Sequence, residues 1–153
     1  MIQIVDATEE HVAMMCARGI RRADHIEALR MTGADGEIIL HESFCMSKGR
    51  RCTIFYRGEA WAMFGVADTI LGNTATPWFI AVEGIEAHWF KVAKYSRKII
   101  QVMLNEYPFL ENYVDVENTA SIRWLQWLGF NISWEATPIR GYPFYYFWMA
   151  RED

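Results

Sequence analysis

The chain has 153 residues, 52% of them hydrophobic and 15% aromatic, with a formal net charge of −4. A chain of this length is expected to form one domain, residues 1–153, and to bury about 70% of its unfolded surface, so no disulfide or metal is needed to hold a core. The aromatic content excludes intrinsic disorder, and the acidic balance argues against a nucleic-acid binder.

Ile2 to Val5 reads as a short strand. Thr8 precedes Glu9-Glu10 and an apolar run, a plausible N-cap for a helix that ends at Gly19. Arg21 to Met31 carries Ala23, Ile26 and Leu29 at helical spacing, Thr32 to Gly36 breaks it, and Glu37 to Met46 reads as a third helix. The period then changes. Arg51–Tyr56 and Ala60–Val66 are β-rich and flank Arg57-Gly58-Glu59, which predicts a hairpin. Pro77–Val82 is a continuous apolar run, as in a strand buried on both faces.

Phe90 to Glu106 reads as a long helix with Val92, Ile99, Val102 and Met103 on one stripe. Lys91, Lys94, Arg97 and Lys98 supply a basic face, and Tyr107-Pro108 stops the helix. Tyr113–Val116 is a short strand. Asn118–Leu128 is a helix closed by Gly129. Phe130–Glu135 and Phe144–Ala150 are strands joined by a turn that holds Pro138, Gly141 and Pro143. The order β-α-α-α-β-β-β-α-β-α-β-β predicts an α/β domain whose mixed central sheet is flanked by helices.

Cys16, Cys45 and Cys52 form no CxxC pair, so neither a disulfide framework nor a zinc site is expected, and free thiols fit a reducing cytosol. The start, MIQIVDATEE, has no basic or apolar leader region, and no apolar stretch approaches the roughly 20 residues of a membrane helix. The expectation is a soluble cytoplasmic protein with no membrane partner.

Residues 114–130, VDVENTASIRWLQWLGF, place Asn118, Ser121, Leu125 and Gly129-Phe130 at offsets of zero, three, seven, and eleven and twelve. With the element order, this pattern resembles the GNAT acetyltransferase superfamily, which carries Tyr at offset seven. The phrases FGV, PWFIAV, YPFLENYVDVEN and SIRWLQWLGF are further similar to a divergent phage branch of that fold, one that includes the small internal virion protein of short-tailed coliphages. The second likeness covers Phe64 to the C-terminus well and the N-terminal third loosely.

The resemblance implies a splayed strand pair whose V-shaped gap admits the pantetheine arm of acetyl-CoA. The backbone of Ile80, Ala81 and Val82 would pair with the arm, as an edge strand pairs with an added one. The pyrophosphate would sit at the start of the next helix, beside Lys91 and Lys94. Asn118 reads either as a helix cap or as a cofactor contact, and Ser121 as a small residue beside it. Acetyl would pass to an amine on a small molecule or a protein. Glu83, at the end of the buried strand, would act as general base, with Asp115 and His88 as other candidates. The phage likeness implies a virion or host-protein partner, in the host cytoplasm or the virion, with or without catalysis. Two departures stand out. Only Gly84 remains of the family's glycine-rich pyrophosphate loop, between Glu83 and Glu86. Leu125 replaces the Tyr that serves as general acid.

Overall fold

The computed structural model describes residues 1–47, 49–68 and 74–152. These form seven strands, five helices and one short 3₁₀ turn. The order is β1 (Ile2–Asp6), α1 (Glu9–Arg18), α2 (Arg22–Thr32), α3 (Gly36–Met46), β2 (Arg51–Tyr56), β3 (Glu59–Asp68) and β4 (Thr74–Ala81). A 3₁₀ turn (Ile85–His88) leads into α4 (Trp89–Glu106), β5 (Phe109–Asp115), α5 (Thr119–Leu128), β6 (Asn131–Ile139) and β7 (Tyr142–Ala150). The α/β class and the element order match the sequence reading.

Local chemistry explains most boundaries. The Thr8 hydroxyl accepts the His11 N–H, and the His11 ring accepts the Thr8 N–H, so histidine takes the place that Glu usually holds in a capping box. Gly129 closes α5 at φ +99°, where a side chain would be strained. The helix after β4 crosses over and returns the chain parallel to it, whereas every other neighbouring pair in the sheet is antiparallel. The strand order is β1-β2-β3-β4-β5-β7-β6.

The sheet separates two cores, as alternation along each strand requires. Met63, Ile80 and Val82 pack with Met15, Leu40 and Phe44 under α1 and α3. Phe64, Val66, Val114 and Phe147 pack with Ile100, Met103 and Leu128 under α4 and α5.

Three boundaries differ from the sequence reading. β5 starts at Phe109, directly after the helix-stopping Pro108, and is seven residues long. Val116 lies beyond it. The last hairpin is longer than its prolines suggest, for Pro138 and Pro143 sit opposite each other inside the ladder. Pro138 is tolerated because β6 is an edge strand, and the turn is only Arg140-Gly141, both at positive φ.

Candidate functional site

β4 and β5 are hydrogen-bonded partners only at Thr74↔Phe109 and Ala75↔Leu110, and then diverge. The splayed pair expected from the sequence is therefore present. The phase of β4 follows from its other side. Val82 N–H donates to the Trp61 carbonyl at 3.0 Å, and Phe79 stands opposite Phe64. Alternate residues bond alternate neighbours in an antiparallel ladder, so Pro77, Phe79 and Ala81 turn their backbone polar groups into the gap.

The gap is partly filled by the chain itself. The Ala81 carbonyl accepts the Arg21 N–H at 2.8 Å, and the Ala81 N–H donates to Asp24 Oδ2 at 2.9 Å. Glu83 N–H donates to the Gly19 carbonyl, and Ile20 bridges Val82 in antiparallel fashion. The Pro77 carbonyl accepts Asn112 Nδ2 at 2.8 Å. The gap-facing N–H and C=O of Phe79 have no partner among the described residues.

Helix α2 spans the mouth of the V. Arg21 just before it, and Asp24, Glu27 and Arg30 within it, recur every third residue and share one face. Arg21 and Asp24 form an ion pair at 2.8 Å with side chains only 5% and 8% exposed, and they hold the β4 arm. Arg30 pairs with Asp115 at 3.1 Å on the β5 arm and with Glu117 beyond it. Glu27 Oε2 accepts the Asp115 N–H at 3.2 Å and Asn118 Nδ2 at 2.8 Å. Burial lifts the Glu27 carboxyl to about 7; the Asn118 hydrogen bond opposes the rise, and the charges of Asp24 and Asp115 add to it.

A cavity of about 360 Å³ runs through the gap. On the α4–α5 side it meets Phe79, Trp124 and Leu125, and on the α2–α3 side Glu27, Met31 and Trp78. Trp124 packs against Phe79 and Trp89, and its buried indole N–H has no acceptor among the described residues. An orphaned donor beside a free strand edge suits a carbonyl-bearing ligand.

The residues singled out in the sequence divide around this cavity. Ile80 and Ser121 line it. Ser121 Oγ accepts Arg21 Nη2 at 3.2 Å. Asn118 occupies the N-cap position of α5 without a side-chain capping bond, because its amide goes to Glu27 instead. Ala81 and Val82 have their backbone groups taken by Arg21, Asp24 and Trp61. Glu83 is exposed, and its carboxylate accepts the Arg22 N–H at 2.7 Å, capping α2 from outside the cavity. Lys91 is drawn to the Tyr56 hydroxyl at 3.1 Å. Lys94 is exposed on the next turn. His88 packs between Tyr56 and Trp61. The sequence reading missed Arg21, Asp24, Glu27 and Arg30; their signal was ionisable groups at three-residue spacing on one helix.

The fit to acetyl-CoA is uneven. The middle of the gap offers Phe79 and Trp124 to an acyl carbonyl. At the start of α4, where the resemblance expects the phosphates, Gly84 at φ +91° opens the 3₁₀ turn between the acids Glu83 and Glu86, and Lys91 is engaged by Tyr56.

No protein-family model matches the sequence, and no curated protein is significantly similar to it. Solved structures are similar in fold. The aminoglycoside acetyltransferase AAC(6')-Ib in complex with coenzyme A has a TM-score of 0.69 at 16% identity, over 99% of this chain and 95% of that one. An N-acetyltransferase from Staphylococcus aureus Mu50 gives 0.66 at 14% identity, over 98% of each chain. A GNAT-family acetyltransferase from Bacillus anthracis gives 0.70 at 9% identity, over 99% of this chain and 96% of that one. The chain has the GNAT acetyltransferase fold. No helix among the described residues is long and apolar enough to cross a membrane.

Proposed function

We propose that this chain is an N-acetyltransferase that uses acetyl-CoA, with the cofactor arm on the α4–α5 side of the gap and the amine entering from the α2–α3 side. The observation that carries the reading is the divergence of β4 and β5 around Phe79, in a cavity that Glu27 helps to line. Acetyl-CoA would supply the acetyl group as an activated thioester. Phe79 and the Trp124 indole would orient its carbonyl, and Lys94 would face its phosphates.

Glu27 is assigned the proton of the attacking amine. It lines the cavity, and its carboxyl titrates near neutrality, where a base is most effective. Glu83, exposed and tied to the start of α2, is assigned a capping role instead. Asn118 and Ser121 are positioning residues, acting through Glu27 and Arg21. Isothermal titration with acetyl-CoA, followed by a thiol-release assay with a panel of amines, tests the proposal. Saturable binding with amine-dependent release of CoA is expected. Absence of acetyl-CoA binding by folded protein would overturn it.

A second reading has its own support. Gly19–Arg21 and Asp24 fill the β4 edge at Ala81, and Leu125 has no proton to give. Trp127, Trp134 and Tyr142 are 43–55% exposed, more aromatic surface than a solitary sheet end needs. A phage protein that keeps the fold without the chemistry, and binds a virion or host protein, would have these features. Failure of acetyl-CoA binding together with capture of a specific phage or host protein would favour it.

A further inference from the structure

On the α2–α3 side, part of the cavity forms a chamber between those helices and strands β4 and β5. Its walls are mainly Ala28, Met31, Ile39, Trp78, Ile80 and Tyr113, with Thr32, Ser43 and Asn112 also among the lining residues. The polar groups are unusual in sign. Asp24, Glu27 and Glu42 are among the lining residues, and among the described residues no lysine or arginine lines the cavity. The two nearby arginines are committed, Arg21 to Asp24 and Arg30 to Asp115 and Glu117. Glu27 is thus a largely enclosed carboxylate with no cation of its own among the described residues.

Its hydrogen bonds leave room for one. Both neutral donors, the Asp115 N–H and Asn118 Nδ2, fall on Oε2. Oε1 accepts nothing from the described residues and is not sealed off, for Trp124 Nε1 is the one buried, unpartnered side-chain atom among them. An enclosed carboxylate is costly unless it is neutralised by a proton or by a cation. Trp78 and Tyr113 add aromatic surface that favours a cation and an apolar body alike.

We propose that this chamber binds a primary ammonium carried on an apolar body, with the ammonium on Glu27 Oε1 and the body between Met31, Ile39 and Trp78. The inference rests on the acyl-transfer reading for its role, since it names the acceptor class of that site. Most of these walls are apolar, so an apolar body is favoured over a polyhydroxylated one, most of whose hydroxyls would lose their water partners without full replacement. When the bound ammonium reacts, it loses one proton to Glu27, the freed nitrogen lone pair forms the new bond to the acyl carbon, the acyl carbon–sulfur bond breaks, and the departing CoA thiolate takes up a proton as the nitrogen loses its second one.

The test is binding alone, without acetyl-CoA, so it can fail or succeed separately from catalysis. Wild-type protein is titrated at pH 8 by calorimetry with n-hexylamine, 1-hexanol, hexanoate and 2-(2-aminoethoxy)ethanol, an amine of similar length with a polar body. Hexylamine is expected to bind at least about tenfold more tightly than each of the others. Glu27→Gln, an isostere that can still accept from Asn118, is expected to reduce hexylamine to the level of hexanol and leave hexanol unchanged. If Glu27→Gln does not fold, Met31→Lys decides, since a lysine reaching into the chamber should repel the ammonium and abolish its binding. Equal affinity for hexanol, hexanoate or the polar amine, no hexylamine binding in the millimolar range, or unchanged binding in the variant that folds would each overturn the proposal.

Discussion

The carboxylate of Asp24 accepts the backbone N–H of Ala81 at 2.9 Å, across 57 residues of sequence. This one contact ties helix α2 to the free edge of a strand that has already left its neighbour. With Arg21 N–H on the Ala81 carbonyl, it satisfies both gap-facing groups of that residue. The other end of the same helix holds β5 through Arg30 and Glu27. Divergent strands normally leave backbone groups that must find partners. Here one helix face serves both arms, and the gap-facing groups of Phe79 are left without a partner among the described residues.

Asp24→Ala should therefore be costly. It leaves a buried guanidinium and the Ala81 N–H without their acceptor, while among the described residues Arg21 keeps Ser121, a distant Glu86 and the Trp89 ring. Breaking one partner of a buried pair typically costs about 3–5 kcal/mol. A fall of that size in the unfolding free energy from urea denaturation is expected. A loss below about 1 kcal/mol would show that the contact is incidental to the closure of the gap.

Stability should also fall as pH rises across the range set by Glu27. Its folded carboxyl lies at about 7, above its ordinary 4.5. The folded state therefore holds the proton more tightly than the unfolded chain. That advantage is complete below about pH 4.5 and is lost as pH climbs to about 7, a difference of about 2–3 kcal/mol. The groups facing Glu27 are Asp24 on its own helix, Asp115 on β5, and the Arg21 and Arg30 guanidiniums that pair with them. Chemical denaturation at pH 5 and pH 8 checks this. Glu27→Gln should flatten the slope, and an unchanged slope would place the titration elsewhere.

The sequence makes the fold more legible than the site. Thr8, Gly19, Gly129 and the Arg57-Gly58 turn mark ends by local chemistry, and period-two and period-3.6 runs mark what lies between. The start of β5 is hidden because Phe109-Leu110-Glu111-Asn112 follows a proline and does not alternate. At the site, Asn118 and Ser121 were visible as a motif, but not their partners. Arg21, Asp24, Glu27 and Arg30 look like a solvated helical stripe until Ala81 and Asp115 are brought against them. Those meetings span 57 to 88 residues, and no local pattern encodes them. Glu83 was the visible acid at the end of β4, yet backbone geometry turned it to the surface.

Asn118→Ala separates a helix cap from a group that tunes Glu27. Asn118 makes no side-chain capping bond, so the usual loss at an N-cap does not arise. Its amide hydrogen-bonds the Glu27 carboxylate and lowers that group's pKa. Removing it should push the Glu27 carboxyl further up. The stability cost should be about 1.5–3 kcal/mol at pH 8, where Glu27 is ionised, and smaller at pH 5. Carbon-13 NMR of the Glu27 carboxyl, with denaturation at both values, measures each effect. An equal cost at both pH values would return Asn118 to a capping role.

Leu125 tests whether the site lacks a proton donor. It is 7% exposed, lines the cavity on α5, and follows the orphaned indole of Trp124. The GNAT pattern that the chain resembles carries Tyr at this offset, as acid for the departing thiolate. A leucine there leaves the thiolate to take its proton from solvent or from the product amine. Wild-type turnover is therefore expected to be slow even where acetyl-CoA binds. Leu125→Tyr should raise CoA release about 10²-fold or more, within the usual range for general acid catalysis. The added ring and hydroxyl must fit among close-packed neighbours, at a cost of about 1–3 kcal/mol. The 360 Å³ cavity gives the hydroxyl somewhere to point. Folding by circular dichroism and acetyl-CoA binding by calorimetry come first, so that a dead variant is not read as a dead hypothesis. With both intact, single-turnover release of CoA decides. Brisk wild-type turnover that Leu125→Tyr leaves unchanged would show that the acid lies elsewhere or is not needed.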